Sequence, residues 1–145
     1  MATATRLALE DLKSKLLAIG DATNVVIGEP RSPCESGTVA IIPDGGEIDS
    51  VTSHPREIHR VILRRYENFI HEPADEIEFR LDSWRIEVEE DFFAKFTLGG
   101  NIANPEPTQW GWEYGRVDLG NTMFRVLDFL VAYRVDPETT TFTPS

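Results

Sequence analysis

Apolar side chains recur along the chain with two different periods, and the period changes mark out its elements. Leu9, Leu12, Leu16 and Ile19 fall three and four residues apart and predict a first helix with one apolar face, capped by Thr5 and ended near Gly20. Short β-branched runs at Asn24 to Gly28 and Thr38 to Ile42 predict two strands, parted by a loop that holds Pro30 and Pro33. Pro43 to Ile58, with Asp44-Gly45-Gly46 and His54-Pro55, has few apolar positions and reads as a long loop. His59 to Tyr66 then alternates as a strand, with Val61 and Leu63 on one face and Arg60, Ile62 and Arg64 on the other.

After Pro73 the period becomes helical again. Ile77, Leu81, Trp84, Val88, Phe92 and Phe96 form a core-facing stripe; Asp75, Glu78, Asp82 and Glu89 lie opposite it, and Glu76 with Arg80 and Asp91 with Lys95 are acid-first pairs. A strand through Ile77, Phe79 and Leu81 fits the pattern less well. Leu98-Gly99-Gly100 ends the helix, and Asn101 to Gln109, with Pro105 and Pro107, completes a second long loop. Trp110 to Leu119 and Thr122 to Val135 read as strands joined through Gly120-Asn121 in a type II′ turn, a C-terminal β-hairpin. The expected fold is therefore α/β in the α+β sense: a mixed, mainly antiparallel sheet packed against two main helices. Residues 1–135 form one domain and 136–145 a flexible tail.

Composition narrows the functional classes. Asp and Glu outnumber Lys and Arg by 25 to 14, and the net charge of −11 opposes any role that grips a phosphate backbone. One cysteine, Cys34, excludes an intrachain disulfide, and no Cys/His cluster has metal-site spacing. Charges interrupt the leucines of residues 1–20, so a signal peptide is not expected, and no stretch has the length of a membrane span. The chain is expected in the cytoplasm of the cell that makes it.

Candidate chemistry is sparse. His54, His59 and His71 match no metal motif, Cys34 has no histidine beside it in sequence, and Gly99-Gly100 lacks the context of a phosphate loop. Catalytic, cofactor and metal sites are all expected to be absent. Glu87, Glu89, Glu90 and Asp91 form the densest acidic run, read first as a solvated helix surface. Trp110, Trp112 and Tyr114 alternate along one strand and share a side, either as core or as protein-binding anchors. Arg64 and Arg65, next to Tyr66, pose the same choice. The arginines are read as interface and most of the aromatics as core.

From Pro73 onward the order of features is an acidic amphipathic helix ending in Glu89-Glu90-Asp91-Phe92-Phe93, the run Phe96-Thr97-Leu98-Gly99-Gly100-Asn101-Ile102, a proline-bearing loop, and Trp112 through Val126. This arrangement resembles the tail terminator, or tail-completion, proteins of long-tailed bacteriophages. The opening helix, Val25 to Glu29, Val39 to Pro43 and the strand at His59 to Tyr66 are compatible with it.

The resemblance implies a structural, non-enzymatic virion protein at the tail–neck junction, assembled in the host cytoplasm. It would form a ring with copies of itself, commonly a hexamer, that caps the tail tube, stops its growth and offers a docking surface to a neck or head-completion protein. The implied partners are the tail tube protein and that neck protein, with no membrane. DNA would cross such a ring without specific binding, and Glu87, Glu89, Glu90 and Asp91 are candidates for its acidic lumen. A head-closure or connector protein of the neck is the nearest alternative. A small enzyme or ligand-binding domain using carboxylates near His59 or His71 is another.

Overall fold

A computed structural model describes residues 4–19, 22–49, 56–69, 73–95 and 104–135. These residues form α1 (Ala4–Leu17), β1 (Asn24–Ile27), β2 (Thr38–Asp49), β3 (Arg56–Asn68), α2 (Ala74–Lys95), β4 (Asn104–Leu119) and β5 (Thr122–Val135). The strands make one five-stranded mixed sheet in the order β1-β2-β3-β5-β4. β1 runs parallel to β2, and the other neighbours are antiparallel.

Both helices lie on one face of this sheet because their apolar stripes and the inward-pointing strand residues form a single core. Leu9, Leu12 and Leu16 of α1 and Ile77, Leu81, Trp84 and Val88 of α2 are buried against Val25, Val39, Ile41, Val61, Leu63, Leu127, Phe129 and Val131. α1 rests on β1 and β2, and α2 on β3 and β5. The other face has a smaller cluster of Ala40, Ile42, Tyr66, Phe124 and Val126, where the Tyr66 and Phe124 rings meet edge to face at 5.9 Å. The segment between β1 and β2 passes over this second cluster, with Cys34 packed on it and Pro33 against Gly120.

Several sequence expectations need correction. The long loop expected at Pro43 to Ile58 is largely strand: β2 continues to Asp49 and β3 starts at Arg56, leaving 50–55 outside the described residues. Pro43 is tolerated because it lies beyond the end of β1, where β2 has no neighbour on that side among the described residues. A register shift between Pro43 and Gly46 absorbs the glycines as a bulge. Gly46 is required there, since a Cβ at this position would sit 2.3 Å from the Ile58 carbonyl oxygen.

The second loop shortens in the same way. Asn104 to Gln109 belong to β4, and Pro105 and Pro107 fall at a register irregularity on an edge strand, where a missing N–H costs least. Residues 96–103, including Phe96 and the glycines expected to end α2, lie outside the described residues, as do Gly20 and the expected tail 136–145. Thr5 falls inside α1, which already starts at Ala4. Gly120 and Asn121 both have positive φ, 53° and 67°, so their turn is of the I′ kind and not II′.

Candidate interface at the edge strand

β4 is the edge strand next to β5 among the described strands, and α2 packs mainly on β5 and β3. Trp112 pairs in register with Phe129, Tyr114 with Leu127 and Arg116 with Arg125, which places this row on the helix-bearing side of the sheet. The aromatics were expected mostly in the core. Trp112 remains 49% exposed and Tyr114 39%, because the row continues past the shelter of α2. Trp110 pairs with Val131, and its side chain lies outside the described residues.

Arginines roof the exposed rings. The Arg85 guanidinium sits 4.1 Å from the Trp112 ring centre while donating to Asp82 at 2.9 Å and Glu89 at 3.1 Å. Arg125 lies 5.1 Å from the Tyr114 ring and donates to Glu78 at 2.8 Å. Arg116 stands 5.1 Å from the Phe69 ring. Each such contact contributes about 0.5–1 kcal/mol at an exposed site, so the row ties the flank of α2 to the sheet edge as well as presenting flat aromatic surface. Partial burial, with Asp82 and Glu78 nearby, raises the Tyr114 hydroxyl above its usual pKa, so it stays a neutral donor.

The two arginines read as interface residues are engaged inside the chain. Arg64 binds Asp128 in a two-point fork at 2.7 and 2.9 Å, and that carboxylate strengthens its hold on its proton. Arg65 is fully buried and donates to the equally buried Glu67 at 3.0 and 3.1 Å. Glu67 also accepts from Arg80 of α2 at 3.2 Å and from the Ser36 hydroxyl, which in turn accepts the Asn68 amide at 3.0 Å. Glu67 thus fastens β3, α2 and the β1–β2 connection to one another. Sequence reading missed Glu67, Asp128 and Ser36 because, Arg65 apart, the partners that join them lie 13 to 64 residues away.

Of the acidic run, Glu87 and Glu90 are exposed, Glu89 is held by Arg85, and the Asp91 side chain lies outside the described residues. His59 Nε2 is 3.0 Å from a Glu57 carboxylate oxygen, and both line a hollow of about 310 Å³ with Leu9, Ile48 and Ile58. His54 and His71 lie outside the described residues. Burial raises the Cys34 thiol pKa, which suits packing better than nucleophilic attack. Among the described residues, no group of three or more His, Cys, Asp and Glu could hold a metal, and no helix is long and apolar enough to cross a membrane. The sequence matches no protein-family model, and no curated protein matches it.

Proposed function

We propose that this chain is a structural subunit of a phage tail–neck junction, a tail terminator that forms a ring on the tail tube, ends tube growth and receives the head or neck. The resemblance of the Pro73 to Val126 region supplies the family. The structural observation that supports it is an edge strand with Trp112 and Tyr114 half-exposed beside α2. Aromatic side chains held rigid by arginine stacking make low-entropy anchors, and a head-to-tail contact between unlike surfaces closes into a ring when its rotation permits. The finer architecture, two helices on a mainly antiparallel sheet with a C-terminal hairpin, belongs to this reading. The proposed partners are sister copies in the ring, the tail tube protein and a neck or head-completion protein. DNA passes by without specific contact, Glu87, Glu89, Glu90 and Asp91 border its path, and neither catalysis nor a cofactor has a part.

Light scattering and electron microscopy of the purified protein, alone and with tail tubes, test the reading. A ring of about six copies, in solution or only on tubes, is the expected outcome. Trp112→Ala with Tyr114→Ala should weaken ring formation while the subunit stays folded. A monomer that ignores tail tubes would overturn the proposal, and binding to tailless heads in preference to headless tails would favour a head-closure protein. The hollow beside His59 and Glu57 favours a second reading, a small-ligand module. On that reading His59→Ala removes the activity, whereas a ring protein with this change still assembles.

A further inference from the structure

α2 carries a second apolar line opposite the one it buries. Phe79 is 69% exposed and Ile86 41%, and their seven-residue spacing puts them two turns apart on one ridge, about 10 Å along the axis. Ser83 and Glu90 share that ridge and are exposed. Asp75, Asp82 and Glu89 border it on one side, Glu76 and Glu87 on the other. The helix arginines point away from it: Arg85 reaches across Asp82 and Glu89 to Trp112, and Arg80 reaches Glu67 at the sheet. Residues 74–95 hold eight acidic against three basic side chains.

Charge selects the occupant of this ridge. A second copy meeting it through the same face would bring an equally acidic helix against it, and nucleic acid or an anionic membrane would be repelled. We propose that the outward ridge of α2 docks a basic amphipathic segment of another protein, with Phe79 and Ile86 as apolar anchors and Asp82, Glu87 and Glu90 as the charged rim. A helix with apolar residues at i, i+4 and i+7 and Lys or Arg beside them matches the spacing and the sign. This goes beyond the ring reading and does not depend on it: it assigns Glu87 and Glu90 to a docked segment in place of the DNA path which that reading gives them. A channel wall would use the acids but has no use for Phe79 and Ile86.

The probe is a labelled peptide with leucines at i, i+4 and i+7 and lysines elsewhere, beside a scrambled peptide of the same composition and one with glutamate in place of lysine. Titration by fluorescence anisotropy uses the full chain, Phe79→Ser with Ile86→Ser, and Glu87→Lys with Glu90→Lys. All these positions are exposed, and circular dichroism checks that the variants remain folded. The ordered basic peptide should bind saturably, with affinity falling about tenfold or more in either double variant, and the acidic peptide should not bind. Equal binding of the scrambled peptide, binding unchanged by Phe79→Ser with Ile86→Ser, or no binding of the ordered peptide would overturn the proposal. So would self-association that the same double variant abolishes, since the occupant would then be another copy. Ring formation is read separately by light scattering, so failure of the ring reading and failure of this one are distinguishable.

Discussion

Glu67 is the residue whose removal should cost the fold most. It is fully buried and accepts from Arg65, Arg80 and Ser36, so Glu67→Ala leaves the buried Arg65 guanidinium without its carboxylate. Breaking one side of a buried ion pair costs about 3–5 kcal/mol. A domain's whole margin is about 5–15 kcal/mol, so urea denaturation should show a large loss of midpoint. Ser36→Ala, which removes a hydroxyl and leaves the charges paired, should cost about 1 kcal/mol. None of this was visible in the sequence, where Arg65 read as a surface contact: alternation along β3 tells which residues share a face, not which of those faces a helix will cover.

At the scale of elements, the bulge in β2 is the sharpest test. Gly46→Ala would place a methyl group against the Ile58 carbonyl, and overpacking of this kind costs about 1–3 kcal/mol. Thermal unfolding should register it, whereas Gly45→Ala, with positive φ but open space, should be penalised through backbone strain alone. The same bulge explains what could be read beforehand. Both helices and the cores of all five strands followed from apolar spacing, since Leu9, Leu12 and Leu16 or Ile77, Leu81, Trp84 and Val88 each answer to a single period. Strand extensions were lost where glycine and proline punctuate the chain, because Asp44-Gly45-Gly46 and Pro105 to Pro107 spell loops locally while paired residues on both sides, Pro43 and Gly46, Asn104 and Gln109, keep the strand in the sheet. The edge row was half legible: alternation put Trp112 and Tyr114 on one side, but their exposure depends on strand order, which no local pattern encodes.

For the whole molecule, charge governs association. With a net charge of −11, copies repel at long range, and that repulsion is screened over about 10 Å at 0.1 M salt and about 3 Å at 1 M. If Trp112 and Tyr114 anchor contacts between copies, raising sodium chloride should strengthen self-association measured by sedimentation. The basic-peptide contact at α2 should weaken over the same range. Opposite responses to one variable would separate a contact between copies, resisted by charge, from a docking contact that charge drives.

The strand order also bears on how the protein is made. β5 is the last of the seven described elements to leave the ribosome, yet it lies between β3 and β4, pairing Glu57 through Asn68 on one side and Asn104 through Leu119 on the other. Until it emerges, β4 has no strand to join, β3 shows a vacant edge, and Leu127, Phe129 and Val131 are missing from the floor beneath α2. Folding cannot be completed from the front of the chain. It must wait for β5, with the elements before it kept from pairing elsewhere in the meantime.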